Sequence, residues 1–280
     1  MIELTNISIV KKILESHGIK AQKHFSQNFL INKGVLDKII DAANLKPEED
    51  AVVEIGCGLG VLTQELASNA FSVIVYEKDF NMMEIAKKNL SNFTNIEFLN
   101  TDILQAKIPS FIYKLVANIP YAITTDILKK FLIEEKNKPR KIVFLIQKEV
   151  AEKICAAPPD MNLLAILVQA FGKPKIIQTV SKNSFFPAPK VDSAILKIDI
   201  NVVPLIPHEL SAKFFEIVRA TFGKKRKIIS QTLAQIFKIE KSEMEKILKT
   251  LGINPMSRPE NLSIESWLEI VKSRPINVDK

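Results

Sequence analysis

The chain has 280 residues and a mass of 31.5 kDa, with 47% apolar and 25% charged residues. That balance excludes a disordered, collagen-like or coiled-coil chain and is ample for a real core. No apolar run approaches the ~18 residues of a membrane span, no secretory signal is visible over Met1–Lys12, and Cys57 and Cys155 make neither a disulfide framework nor a metal-ligand pattern, so a reducing cytoplasm and no membrane partner are expected.

In chain order, Ile9–Ser16 and Val35–Ala43 have apolar residues at helical spacing, and Lys20–Phe29 between them is polar and irregular. Short apolar runs then recur at 51–55, 72–76, 96–99, 114–117 and 141–146, with helical patterns at 61–69, 80–90, 124–135 and 148–155 between and after them. Strands alternating with helices of this length predict βαβ units and a parallel sheet. A helix at 163–171 and two strands at 175–180 and 191–200, joined by the loop 181–190, follow. Beyond Pro204 and Pro207 the pattern is helical, at 209–222, 226–237, 241–250 and 263–272. The expected division is an N-terminal helical segment (1–45), an α/β domain (46–202) and a small all-helical domain (203–280).

The net charge of +8 is uneven: residues 201–280 hold 14 Lys/Arg against 9 Asp/Glu. A basic C-terminal part fits a polyanionic partner, although a solvated helix surface has the same composition. Within it, Lys224-Lys225-Arg226-Lys227 places four consecutive cations at an expected helix start. There they oppose the helix dipole, which favours a phosphate-binding reading. Lys11, Lys12, Lys20, Lys23 and Lys33 form a second basic zone; His17, His24 and His208 lack ligand spacing, and Trp267 reads as core.

The first strand of the alternation runs into Gly56-Cys57-Gly58-Leu59-Gly60, and a helix follows. Glycines at such a turn let a ligand approach the backbone, and the helix start favours negative groups. The spacing is G-x-G-x-G, not the G-x-G-x-x-G of dinucleotide binders. Glu77 lies 21 residues after Gly56 at the tip of the next strand, where a carboxylate accepts ribose hydroxyls, and Asp102 follows the third strand. Taken singly these are ordinary loop acids; three successive strands ending in glycine, Glu and Asp on one edge are not. The fourth strand ends at Asn118-Ile119-Pro120-Tyr121. A plain β-turn has this composition. So has a site for a nucleobase amino group, whose delocalised lone pair needs acceptors on its N–H bonds before it attacks carbon. The Asn118 side-chain oxygen and the Ile119 carbonyl supply two, and Tyr121 offers a ring for base stacking. Phe185, in Phe185-Phe186-Pro187-Ala188-Pro189-Lys190, is a second stacking candidate or a residue that packs on the sheet edge.

Together with Gln27-Asn28-Phe29-Leu30, Glu54-Ile55-Gly56, Leu62-Thr63, Glu77-x-Asp79, Gln147–Glu152 and Val191–Ala194, these motifs resemble the KsgA family of rRNA adenine dimethyltransferases, relatives of the Erm methyltransferases, over roughly residues 20–270. The resemblance implies a class I methyltransferase fold, a mostly parallel seven-stranded Rossmann-like sheet, with a helical C-terminal domain. It implies S-adenosylmethionine (SAM) as donor, no metal, and dimethylation of two adjacent adenosines near the 3′ end of small-subunit rRNA, on a pre-ribosomal particle, by a monomer. It places Asn28 and Leu30 over the cofactor, Gly56 under its methionine part, Glu77 on its ribose, Asp102 on its adenine amino group and Asn118 between cofactor and target, with Tyr121 and Phe185 on the target base and Lys224–Lys227 on RNA. The competing readings are Erm-type methylation of large-subunit rRNA and a non-catalytic ribosome assembly factor. The sequence departs from the family at Cys57, where Pro is usual, at Ala122, where Asn is usual, and over Pro158–Gln169, which lacks the usual Tyr-Gly.

Overall fold

A computed structural model describes residues 3–18, 28–224 and 226–273. Gln27, Lys20, Lys23, His24 and Lys225 lie outside the described residues. Two helices come first, α1 (Ile7–Ser16) and α2 (Lys33–Ala43), separated by a two-residue strand β1 (Phe29–Leu30). Asn6 and Asn32 cap the helices, their side-chain oxygens accepting from Ser8 N and Val35 N. The alternation follows as β2 (Ala51–Ile55), α3 (Val61–Asn69), β3 (Ser72–Glu77), α4 (Phe80–Asn89), β4 (Ile96–Asn100), β5 (Lys114–Asn118), α5 (Thr124–Lys129), β6 (Lys141–Gln147) and α6 (Lys148–Ile154). Then come α7 (Leu163–Gln169), β7 (Gly172–Val180), β8 (Phe185–Phe186) and β9 (Ser193–Ile200). The chain continues through α8 (His208–Phe222), α9 (Ile229–Phe237), α10 (Lys241–Thr250) and α11 (Ile264–Ser273).

The sheet has seven strands in the order β4-β3-β2-β5-β6-β9-β7. Pairs β2–β3, β2–β5, β3–β4 and β5–β6 are parallel, and β9 is antiparallel to β6. β2, β5 and β6 are almost wholly buried, so they read as continuous apolar runs rather than alternating ones. The carboxyl ends of the four neighbours β4, β3, β2 and β5 therefore lie along one edge. The order reverses at β2, and ligands bind outside such an edge in open α/β sheets.

Two compact units result: residues 1–151 with 174–200, and residues 152–173 with 201–280. The helical unit thus takes in α7 and its flanks, a segment that the sequence reading left with the sheet. The reason is packing: Met161, Ala165 and Ile166 share a core with Phe214, Leu233 and Trp267. Trp267 is fully buried, as expected of a core residue. Among the described residues no helix is long and apolar enough to cross a membrane.

Two details differ from the sequence reading. The loop 181–190 holds β8, which pairs antiparallel with β1 (Phe29 opposite Phe186, Leu30 opposite Phe185). The helix expected from residue 226 begins at Ile229 instead, because Lys227 N closes a turn onto Lys224 O at 2.8 Å. The cationic run therefore precedes the helix, which removes part of its conflict with the dipole.

Candidate active site

A cavity of about 700 Å³ lies at the carboxyl edge of β2–β5. The glycine turn forms its base. Gly56, Gly58 and Gly60 have φ of +74°, +54° and +90°, a region closed to most side chains. A Cβ on Gly58 would sit 3.3 Å from the Phe29 ring, and one on Gly60 would sit 2.8 Å from Leu90 Cδ1. The first contact explains how β1 comes to lie against the turn. β1 is held on its other side by β8, by Ile31 N donating to Ser184 O at 2.9 Å, and by Asn32 Nδ2 donating to Ser184 Oγ at 3.2 Å. Asn28, Leu30, Gly56, Glu77, Asp102, Asn118 and Tyr121 all line this one cavity.

Its carboxylates are held by backbone donors. Glu77 Oε1 accepts from Asp79 N at 2.8 Å, and Oε2 accepts from Gly58 N at 3.4 Å and from the Cys57 thiol at 3.7 Å. Glu77 is nine-tenths buried; that burial pushes its pKa up, against the pull of the Asp79 and Gly58 amides. Asp102 Oδ1 accepts from Leu104 N at 3.0 Å and Oδ2 pairs with Lys78 at 3.0 Å, which together hold its pKa below the usual carboxylate range. Cys57 is buried beside Glu77 and Glu54, so its thiol is pushed far up and stays protonated. A thiol held protonated in this way is a poor nucleophile.

One lining group was not singled out from sequence. Glu54 on β2 is fully buried, and neither carboxylate oxygen has a hydrogen-bond partner among the described residues. Burial raises its pKa to about 8; the nearby Thr63 hydroxyl works in the other direction but does not meet hydrogen-bond geometry. The signal was present, as an acid inside an otherwise apolar strand.

On the far wall, Asn118 Nδ2 donates to Asn28 O at 3.3 Å, which ties β5 to the N-terminal segment and leaves the Asn118 amide oxygen facing no described donor. Ile119 N donates to Leu145 O at 3.1 Å. The Tyr121 hydroxyl lies 2.8 Å from Ser193 Oγ, a fully buried group on β9. Of the two readings of Phe185, the structure favours packing: it is 4% exposed, lies in the core with Leu30 and Leu62, and is not in the cavity lining. Pairing on β1 turns that ring inward. Its neighbour Phe186 has the Lys11 ammonium 5.3 Å from its ring centroid, a cation–π contact that accounts for one lysine of the second basic zone. Lys33 of the same zone is paired with Asp37 and Glu65.

In the expected RNA-binding run, Lys224 Nζ donates to Gln235 Oε1 at 2.9 Å, and Arg226 and Lys227 are exposed. Among the described residues no group of three or more His, Cys, Asp or Glu is placed to hold a metal ion.

A seven-stranded sheet of this order, with a glycine turn after β2 and carboxylates after β3 and β4, defines a class I methyltransferase. Comparisons with known proteins narrow the class. Residues 18–274 match the family model described as ribosomal RNA adenine dimethylase. The chain is 40% identical over 265 residues to a ribosomal RNA small subunit methyltransferase A of Dehalococcoides mccartyi, covering 93% of this chain and 90% of that protein. It is 36% identical over 275 residues to the same-named protein of Bacillus pumilus, with 93% of each covered. Among solved structures, a dimethyladenosine transferase from Plasmodium falciparum matches with a TM-score of 0.77 and 30% identity, over 88% of this chain and 96% of that one. The 23S rRNA methyltransferase ErmE matches with 0.76 and 28%, over 88% and 98%. The chain belongs to the ribosomal RNA adenine dimethylase family, whose methyl donor is SAM.

Proposed function

We propose that this enzyme dimethylates the N6 amino groups of two adjacent adenosines in the 3′-terminal stem-loop of small-subunit rRNA, acting as a monomer on an assembling subunit. The observation that carries the reading is the convergence of Glu77, Asp102 and Asn118 on one cavity. The names of the sequence relatives favour the small subunit over the large, whereas the two solved structures match about equally well.

The cavity fits the donor chemically. Its lining holds Glu77, Asp79 and Asp102 against a single lysine, Lys78, and so favours a cation-bearing ligand. When bound, SAM supplies a methyl group already activated by its sulfonium. Glu77 then accepts hydrogen bonds from ribose hydroxyls, Asp102 from an adenine amino group, and Asn28 and Leu30 cover the ligand above Gly56. Tyr121 gives the target base a ring to stack on, worth about 1–3 kcal/mol, and its bond to Ser193 fixes the ring's position. Asn118 Oδ1 and the Ile119 carbonyl accept the two N–H bonds of the target amino group and draw its nitrogen toward tetrahedral geometry. No strong base is required, because the proton is lost only after the nitrogen has become cationic and acidic and passes to water, while positioning supplies most of the acceleration. Lys224, Lys225, Arg226 and Lys227 take RNA phosphates.

The test offers labelled SAM with under-methylated small subunits and, separately, with large-subunit rRNA, and maps products by mass spectrometry. Dimethyladenosine in the small-subunit 3′ stem-loop is expected. Label in the large-subunit RNA would move the chain to the Erm reading, and label in neither would favour a binding role.

A further inference from the structure

Two carboxyl groups and one thiol line the sheet-edge cavity side by side: Glu54 on β2, Cys57 in the glycine turn and Glu77 at the end of β3. All three are buried. They are served unequally. Glu77 takes three donors: Asp79 N at 2.8 Å on Oε1, and Gly58 N at 3.4 Å together with the Cys57 thiol at 3.7 Å on Oε2. Glu54 takes none among the described residues, and the buried Thr63 hydroxyl near it is also unpartnered. A buried carboxyl without a donor keeps its proton, and a charged neighbour reinforces that. The donors therefore mark Glu77 as the charged member of the pair and Glu54 as the neutral one.

The two oxygens of Glu77 are held differently. Oε1 has a short bond from a backbone amide, whereas the Gly58 amide reaches Oε2 only at 3.4 Å. The Cys57 thiol is the second hold on Oε2. A thiol is a weak donor, yet a bond to an ionised acceptor is stronger than one to a neutral group. Burial beside two carboxyls keeps the proton on sulfur, so Cys57 donates and Glu77 accepts. The backbone that carries the thiol is itself fixed, with Cys57 O accepting from Gly60 N at 2.8 Å. A carboxylate that accepts two hydroxyls of one ribose has to present both oxygens at a set angle, and the grip on Oε2 sets that angle. Cys57 is also the turn residue at which the sequence departs from the family resemblance, and a proline there brings no side-chain donor.

We propose that Cys57 is a positioning residue for cofactor recognition, its thiol holding Glu77 Oε2 in the pose that accepts a ribose hydroxyl. The proposal rests on the reading that Glu77 binds the ribose of SAM, and it extends that reading to a residue that acts through Glu77. Its effect falls on the binding of the donor and leaves the methyl-transfer step at Asn118 alone.

The test compares Cys57→Ala, which is smaller, with Cys57→Val, which is larger; neither side chain can donate. Both should weaken SAM binding by calorimetry about fivefold, the scale of losing one modest hydrogen bond. In rRNA methylation the KM for SAM should rise by the same factor, with kcat at saturating SAM within about twofold. Binding of 5′-methylthioadenosine should weaken as much, whereas that of its 2′,3′-dideoxy analogue, which brings no ribose hydroxyl, should not change. In the ligand-free protein, the S–H stretching band that disappears in Cys57→Ala should move to higher frequency in Glu77→Gln, where the acceptor is neutral. Unchanged SAM affinity in both variants would overturn the proposal, as would loss in only one of them, which volume explains, equal loss for the dideoxy analogue, or a band that stays in place. Failure of the underlying reading looks different: a wild type that binds methylthioadenosine and its dideoxy analogue equally, or binds neither, would take the ribose away from Glu77 and the role of Cys57 with it.

Discussion

The sheet-edge cavity and the helical-unit cavity are nearly the same size, about 700 and 730 Å³, yet they treat charge in opposite ways. The first gathers carboxylates and satisfies most of them from the backbone: Asp79 N and Gly58 N on Glu77, Leu104 N on Asp102, Asn81 N and Met82 N on Asp79. The second gathers three arginines, none in an ion pair with a described residue, beside the carboxylates Asp160 and Glu260. Backbone donors fix a group before any ligand arrives, which suits a small ligand bound in one pose. Exposed guanidiniums on flexible stems are held by no such bonds, so the second cavity leaves its charge unfixed.

The largest expected effect tests the first cavity as a reaction site. Asn118→Ala should lower kcat for methyl transfer at least about a hundredfold, the scale of losing one preorganised polar group at a reacting atom. SAM binding and RNA binding should stay within a few fold; equal loss of RNA affinity would make Asn118 a structural tie to Asn28 only. Next, Glu77→Ala should weaken SAM binding by calorimetry about tenfold to a hundredfold, since hydrogen bonds to charged groups contribute about 1.5–3 kcal/mol each. Retained heat would reassign Glu77 to holding the glycine turn through Gly58.

The same contrast explains what could be read in advance. Glu77 and Asn118 end strands, Gly56 and Asp102 follow strand ends within two residues, and strand ends are legible as apolar runs meeting polar residues. Asn28 and Leu30 came only from the family resemblance, because β1 is two residues long and has no periodicity to read. Its partner β8 was hidden for the same reason, so the sequence left Phe185 open between a stacking ring and a packed sheet-edge residue, and pairing with Leu30 turns it inward. Of the arginine cavity only Arg226 was marked as a cation, within the basic run; its meeting with the others was not legible. Residues 219, 226 and 258 lie on three segments, and nothing in their spacing brings them together.

The basic run sharpens the contrast within the helical unit. Lys227→Ala should flatten the salt dependence of RNA binding by about one contact, and Lys224→Ala by less, because Lys224 already spends one donor on Gln235. Equal slopes in all three proteins would return the run to solvated surface. Glu54 breaks the pattern of its own cavity, being the acid with no donor. Its pKa is raised from about 4.5 to about 8, so the native state keeps a proton that the unfolded chain has released in that window. Its stabilising contribution is full below pH 4.5 and declines as pH rises toward 8, by up to about 1.4 kcal/mol per pH unit. Thermal melting of the ligand-free protein should therefore drop between pH 5 and 8, and Glu54→Gln should flatten that drop. A wild-type melting point that is level across the window would show that Glu54 is ionised.

The smallest effect concerns Ser193, which meets Tyr121 from β9 without itself lining the cavity. A neutral buried hydrogen bond contributes about 1 kcal/mol, so Ser193→Ala should raise KM for the RNA substrate about fivefold, with little change in SAM affinity. Removing the other partner, Tyr121→Phe, keeps the stacking ring and should cost about the same. The double variant should then cost no more than either single one, because both remove one bond. Additive losses would mean that the Tyr121 hydroxyl has a separate role at the reacting centre, and that the wall facing the target is set by chemistry there rather than by its support from β9.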